Sequence, residues 1–99
     1  MILRHKDEIE SISRRFNVSR LELFGSAVTG DFEPGRSDLD FLVEFQSDAP
    51  EGYADRYFGL LEGLERLLGC PVELIVGSVV KNPYFRESID RNKVLLYAA

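Results

Sequence analysis

The chain has 99 residues, of which 44% are hydrophobic and 29% charged, values typical of a folded globular domain. A length near 100 residues predicts one domain over residues 1–99, because two independent cores would not fit. Seventeen acidic against 12 basic residues give a net charge of −5, which argues against non-specific nucleic-acid binding. A single cysteine and a single histidine exclude an internal disulfide framework and a zinc cluster built from these residue types.

The sequence also predicts the compartment. No apolar run approaches the roughly 20 residues that a membrane-spanning helix needs. The chain becomes charged from Arg4 onward, without the apolar stretch of a signal peptide. We therefore expect a cytoplasmic protein that does not enter a membrane. A core of this size would gain stability from a partner, so both a homo-oligomer and a hetero-oligomer stay open.

The first part of the chain predicts a helix, a short strand and a tight turn. Apolar residues recur at helical spacing from about residue 3 to 16, which predicts the first helix. The apolar segment 21–24 predicts a strand that ends at Gly25, and residues 26–30 predict one helical turn. A loop is predicted for residues 31–36, which contain a proline–glycine pair.

The next segment, residues 39–45, shows the alternation of a strand that has one face on a core. Its apolar side chains are Leu39, Phe41, Val43 and Phe45, and its polar side chains, including the residue just before it, are Asp38, Asp40 and Glu44.

The second half of the chain continues the alternation of helices and strands. An apolar stripe predicts a helix over residues 53–68, ended by a glycine and a proline. Residues 72–76 predict a strand with Glu73 on its polar face. A short helix capped by Asn82 and a strand over residues 94–97 complete the order α-β-α-β-α-β-α-β. This order predicts an α+β fold with helices packed on one sheet.

The pair Gly25–Ser26, where the first strand runs into a turn, is a candidate phosphate-binding site. A glycine lets a ligand approach the backbone closely. The N–H groups at the start of a helical turn, together with the Ser26 hydroxyl, can bind phosphate oxygens. For this pair alone, an ordinary turn without a ligand remains the alternative.

Asp38 and Asp40 are candidate metal ligands because residues i and i+2 of a strand project from the same face. Two adjacent carboxylates repel unless a cation lies between them, and hard oxygen ligands suit Mg²⁺ or Mn²⁺. Glu73 adds a third carboxylate if its strand lies beside theirs, and three carboxylates can place the two metal ions of a phosphoryl transfer. The alternatives are a solvated outer face for the aspartates and an ordinary surface position for Glu73.

The combined pattern resembles the DNA polymerase beta nucleotidyltransferase superfamily. The resemblance is carried by Gly-Ser in segment 23–30, a short spacer, Asp-x-Asp in segment 37–43, and a later acidic strand. The small size and the segments 71–76 and 91–97 resemble those of its minimal nucleotidyltransferases, called MNT domains. The resemblance implies a mixed β-sheet with helices packed on it.

The same resemblance implies an activity and the residues that perform it. Gly25 and Ser26 would bind the triphosphate of ATP. Asp38, Asp40 and Glu73 would be the catalytic residues and would hold two Mg²⁺ ions, with Mn²⁺ as a substitute. Some family members transfer AMP from ATP to a tyrosine of a helical HEPN toxin and act as antitoxins. We therefore expect a protein adenylyltransferase with an HEPN-type partner.

Two residues depart from the family pattern. Thr29 stands where members often have arginine, which removes a cation from the phosphate turn, and Glu73 stands where aspartate is common. These departures favour an alternative function, a catalytically idle module that inhibits its partner by binding it. The intact pair Asp38 and Asp40 favours the enzyme. The acidic charge disfavours transfer onto a nucleic acid. The sequence does not choose between Asp40 and Glu73 as the proton acceptor.

Overall fold

A computed structural model describes residues 2–33, 35–47 and 50–99. Pro34, which belongs to the predicted loop 31–36, lies outside the described residues. The helices and strands follow the predicted order, and short 3-10 turns occupy Leu3–His5 and Gly77–Val79. Their bounds are α1 Lys6–Arg15, β1 Val18–Phe24, α2 Ser26–Thr29, β2 Leu39–Phe45, α3 Tyr53–Leu68, β3 Val72–Val76, α4 Pro83–Asn92 and β4 Val94–Ala98.

The strands form one mixed sheet in the order β3-β2-β1-β4. β1 pairs in antiparallel fashion with both β2 and β4, whereas β2 and β3 are parallel. The parallel pair requires a crossover, and α3 supplies it. The predicted α+β architecture is therefore confirmed. The extent of a single domain over residues 1–99 stays a prediction.

The main core lies between one face of the sheet and the helices α1 and α3. It forms because the apolar stripe of each helix meets the apolar side chains of the alternating strands. Its buried residues include Ile9, Leu21, Leu23, Leu39, Phe41, Val43, Leu60, Leu64, Leu74 and Leu96.

The other face of the sheet carries a second, smaller core. Leu42 of β2 is only 2% exposed and packs with Phe24 of β1 and Ile89 of α4. The prediction that only one face of β2 lies on a core is therefore wrong. Leu42 lies between Asp40 and Glu44 on the polar face, where it interrupts the alternation of β2 and is the local sign in this strand that the face is covered.

α4 is tied to β1 by ion pairs around the buried carboxylate of Glu22. Glu22 is only 3% exposed, and its carboxylate lies 3.3 Å from Arg20 Nε and 3.2 Å from Lys93 Nζ. Lys93 Nζ also lies 3.0 Å from Asp90 Oδ1, and this hydrogen bond raises the pKa of Lys93. Because the buried carboxylate would be costly without these cations, the network fixes the end of α4 on the sheet.

β3 lies at one edge of the sheet and is anchored to α3 by two side chains. The Tyr57 hydroxyl donates to the Leu74 carbonyl at 2.6 Å, and the Val72 amide donates to Glu65 Oε2 at 3.1 Å. Both backbone groups face away from β2, because the Leu39 amide of β2 donates to the Pro71 carbonyl and the backbone groups of successive strand residues point to opposite sides. α3 therefore covers the polar edge of the strand that carries Glu73.

The structure differs from the prediction at a few boundaries. β1 begins at Val18, three residues before the predicted start at residue 21, because Val18 is fully buried although the next two residues are polar. Ser19 Oγ donates to the Glu44 carbonyl at 3.1 Å and so extends the hairpin. In the part of the chain that the structure describes, no helix is long and apolar enough to cross a membrane.

Candidate active site

The sheet brings the predicted acidic residues together. In the parallel register of β2 and β3, Asp40 lies directly beside Glu73. Both side chains project to the α4 face of the sheet, since the residues that flank them in each strand belong to the core under α1 and α3. Asp38 precedes β2 and is two residues from Asp40. The sequence analysis required the strand of Glu73 to lie beside the strand of Asp40, and the fold has β3 and β2 side by side.

The electrostatics of Asp40 reflect this convergence. Its pKa is raised from 3.8 to about 6, first by desolvation, then by a hydrogen bond with Glu73 and by the charges of Glu73 and Asp38. A hydrogen bond between two carboxyl groups requires one shared proton. Without a cation, the Asp40–Glu73 pair therefore retains a proton at a pH where isolated carboxyl groups have lost theirs.

The carboxylate oxygens of the acidic side chains suit a divalent cation chemically, but these side chains are not arranged as a ligand set. Among residues 2–33, 35–47 and 50–99, no three His, Cys, Asp or Glu side chains converge in metal-binding geometry. Asp40 and Glu73 are instead turned toward each other. Asp38 and Glu73 are exposed. A cluster of hard oxygen donors with unfavourable mutual charge is the donor set that Mg²⁺ or Mn²⁺ would stabilise.

Gly25 is adjacent to the acidic cluster because its neighbour Phe24 is the strand partner of Asp40. Its φ of +76° and ψ of −151° are accessible essentially only to glycine. A Cβ at this position would overlap Asp40 Oδ2. The missing side chain therefore makes room for the Asp40 carboxylate, a role that the sequence analysis did not foresee. Close approach of a phosphate remains a prediction.

Ser26 begins α2 and lies half-buried beside the same turn. The amides of Val28 and Thr29 donate to the Gly25 carbonyl at 3.0 and 3.1 Å. The amides of Ser26 and Ala27 precede these donors, at the start of the turn, where a helix provides no internal acceptor. The turn is therefore compatible with the predicted anion binding. The hydroxyl of Thr29 donates to Asp31 Oδ2 at 3.1 Å, so it is engaged with an acid.

The sequence analysis predicted α4 but not that this helix borders the site. The rings of Phe24 and Phe85 meet edge to face with centroids 6.5 Å apart, which places the first turn of α4 near Asp40. The Asn82–Pro83 signal correctly located the start of α4. That α4 is the helix covering the polar face of β2 depends on the tertiary packing of Ile89 against Leu42, which no local pattern reveals.

The acidic cluster lies on the α4 face of the sheet and not in the groove between α1 and α3. A groove of about 440 Å³ lies between α1 and α3, with Phe16, Gly59 and Gly63 among its lining residues. These helices cover the opposite face of the sheet from the carboxylates. The site is therefore identified by its chemistry and register, not by cavity size.

Asp40→Asn should stabilise the metal-free protein at neutral pH. Because the native pKa of about 6 exceeds 3.8, protonation of Asp40 contributes stability below pH 4 that is lost as the pH rises through 6. The full shift corresponds to about 3 kcal/mol, and solvent screening of this half-exposed group reduces it to about 1 kcal/mol. Calorimetry at pH 8 should show a Tm about 4–8 °C higher for the variant, and little difference at pH 4.

Glu62→Gln, at an exposed position of α3, is the matched control and should show no such pH dependence. A lower Tm for Asp40→Asn than for the unmodified chain at pH 8 would contradict the charge cluster.

Comparison with known proteins identifies the family. The chain matches the nucleotidyltransferase domain family over residues 5–96. It is 33% identical over 93 residues to MJ1379 of Methanocaldococcus jannaschii, a candidate protein adenylyltransferase, and the match covers 94% of this chain and 89% of that protein.

Solved structures agree with this assignment. A candidate minimal nucleotidyltransferase superposes with a TM-score of 0.76 at 27% identity, over 94% of this chain and 90% of that one. A chain from the complex of the tri-AMPylated HEPN toxin of Shewanella oneidensis with its MNT antitoxin superposes with a TM-score of 0.67. Its identity is 16%, over 100% of this chain and 74% of that one, which supports the fold. The chain therefore belongs to the nucleotidyltransferase domain family and is an enzyme of its minimal nucleotidyltransferase group.

Proposed function

We propose that this protein transfers AMP from ATP to a tyrosine hydroxyl of an HEPN-type toxin and thereby acts as an antitoxin. The parallel register that sets Asp40 beside Glu73, next to the Gly25–Ser26 turn, carries the proposal. The name of the Methanocaldococcus relative supports adenylyl transfer to a protein, and the Shewanella complex supports the partner class. We further propose the cytoplasm as the compartment, because ATP is the substrate.

Asp38, Asp40 and Glu73 would hold two Mg²⁺ ions, for which Mn²⁺ could substitute. When bound, the ions would neutralise charge on the triphosphate and lower the pKa of the attacking hydroxyl. The half-exposed position of Asp40 and the exposed positions of Asp38 and Glu73 leave these carboxylates accessible to a nucleotide. Their negative charge would be balanced by the cations that accompany ATP.

The remaining steps fall to the protein's own groups. The turn amides and the Ser26 hydroxyl would bind the triphosphate. The tyrosine oxygen attacks the α-phosphorus, the bond to the β-phosphate oxygen breaks, and pyrophosphate leaves. Asp40 or Glu73, which lie side by side in the sheet, would accept the hydroxyl proton. Orienting the reactants in this way supplies much of the catalytic effect.

One observation favours a second candidate, the catalytically idle binding module. Thr29 provides no cation to the phosphate turn, and its hydroxyl is bound to Asp31. Such a protein would inhibit its partner by complex formation alone. It would need stoichiometric amounts, whereas an enzyme could act repeatedly.

Mass spectrometry of the partner separates the two candidates. After incubation of the full chain with the HEPN-type partner, ATP and Mg²⁺, the partner's mass should increase by one or more AMP units. EDTA should abolish the increase, and replacement of the modified tyrosine by phenylalanine should remove the acceptor. A stable complex with no change in mass would contradict adenylyl transfer and leave the binding module.

A further inference from the structure

Phe85 lies on the same face of the sheet as the acidic cluster. Its ring meets the ring of Phe24 with centroids 6.5 Å apart and an interplanar angle of 76°. Phe24 is the direct antiparallel partner of Asp40, and residues opposite each other in such a pair project to the same face. Phe85 therefore contacts the residue that is paired with Asp40.

The first turn of α4 holds Phe85 in a fixed position. The Asn82 side chain accepts hydrogen bonds from the amides of Tyr84 at 2.9 Å and of Phe85 at 3.3 Å. Arg86 Nη1 donates to the Gly77 carbonyl at 3.3 Å and so attaches the same turn to the end of β3. A ring on a turn that is capped and anchored loses little conformational freedom when a ligand binds.

The exposure of Phe85 suggests more than a packing role. Its neighbour Phe24 is 7% exposed and Ile89, one turn further along α4, is 2% exposed, whereas Phe85 remains 42% exposed. Phe24 and Ile89 thus fill the small core under α4 without the full ring of Phe85. A fixed, half-exposed aromatic ring at the border of a polar site offers a surface for stacking with another ring.

We propose that Phe85 stacks against the adenine ring of ATP whose phosphates bind at Gly25 and Ser26. The proposal rests on the proposed function. The turn at Gly25 follows Phe24 directly, so a nucleotide whose phosphates bind at the turn would lie beside the Phe24–Phe85 pair. Stacking suits this position because it recognises the uncharged part of the nucleotide beside an acidic cluster.

Calorimetric titration of the full chain with three probes tests the proposal. The probes are Mg²⁺·ATP, Mg²⁺·CTP and Mg²⁺·tripolyphosphate, the last of which has no base. Phe85→Leu keeps an apolar contact with Phe24 but removes the ring. It should weaken ATP binding about tenfold, CTP binding less because the pyrimidine ring is smaller, and tripolyphosphate binding not at all.

Two variants control for the chemistry and the position. Phe85→Tyr retains an aromatic ring and should bind ATP as the unmodified chain does. Tyr84→Leu changes the adjacent ring, which is 82% exposed, and should leave ATP binding unchanged. The Tm of each variant is measured alongside, so that a loss of folded protein is recognised.

The possible results separate this inference from the proposed function. Unchanged ATP affinity in folded Phe85→Leu, or equal weakening of ATP and tripolyphosphate, would overturn the stacking role while adenylyl transfer stands. If Phe85→Leu changes only the KM for the protein acceptor, the stacking role is also overturned, because the Phe85 ring would then contact the acceptor rather than adenine. If the unmodified chain binds neither ATP nor tripolyphosphate, the proposed function fails together with the inference.

Discussion

Asp38→Asn should abolish adenylyl transfer and leave the fold intact. Asp38 is exposed and precedes β2, so no core contact depends on its charge. Removing the charge also relieves one cause of the raised pKa of Asp40. Removing a residue that hydrogen-bonds to a metal ligand typically lowers metal affinity or activity about 10–100-fold. Removing a ligand itself should therefore lower the transfer rate at least about 100-fold. The rate is measured as the appearance of AMP on the partner.

The matched control is Asp55→Asn, because Asp55 is another exposed aspartate and lies on α3, which packs on the opposite face of the sheet from the acidic cluster. It should transfer AMP normally. Mg²⁺ should raise the Tm of the unmodified chain and of this control, but not that of the double variant Asp38→Asn/Asp40→Asn. If Asp38→Asn transfers AMP at the normal rate, Asp38 is not part of the site. If Mg²⁺ still raises the Tm of the double variant, neither aspartate is a metal ligand.

Gly25→Ala should destabilise the protein and disrupt the site together. The backbone conformation of Gly25 costs about 1–3 kcal/mol for any other residue. The added Cβ would also overlap Asp40 Oδ2 and force the carboxylate away from Glu73. For a domain of this size each kcal/mol lowers the Tm by about 4–8 °C, which thermal unfolding measures directly. Transfer of AMP should fall as well, because Asp40 would be displaced.

Gly30→Ala separates the two contributions. Gly30 also has a positive φ of 90°, but nothing lies within 4 Å of the position that its Cβ would occupy. Gly30→Ala should therefore lower the Tm because of its backbone conformation, but it should leave the rate of AMP transfer unchanged. Adding Asp40→Ala to Gly25→Ala should recover part of the lost stability, because the overlap disappears. Equal losses in Gly25→Ala and Gly30→Ala would contradict the contact between Gly25 and Asp40.

The strands and helices were predictable because their signals are local. The alternation in β2 and β3 and the apolar stripe of α3 gave the bounds of these elements almost to the residue. The start of β1 was missed because Val18 is an isolated apolar residue before two polar ones. The capping signal at Asn82 located α4, as the hydrogen bonds of its side chain confirm.

The arrangement of the site could be predicted only in part. The spacing of Asp38 and Asp40 placed both side chains on one face, which is a property of any strand. That Asp40 would lie beside Glu73 depends on the parallel register across α3, and that Phe85 would border them depends on the packing of α4. Both are long-range features. Likewise, only the three-dimensional structure shows that the Asp40 carboxylate occupies the space where a side chain of residue 25 would lie.

The two side-chain hydrogen bonds at the outer edge of β3 also determine where the sheet can grow. An incoming strand would have to displace the Tyr57 hydroxyl from the Leu74 carbonyl and Glu65 from the Val72 amide before it could pair there. Exposed strand edges are the usual templates for aggregation between chains, and α3 blocks this one. The strand that carries Glu73 is thus protected from edge-to-edge association. The opposite edge, β4, has no such cover from α3 and exposes about half of Val94 and Leu95, so addition of a foreign strand would extend the sheet at the end farthest from the carboxylates.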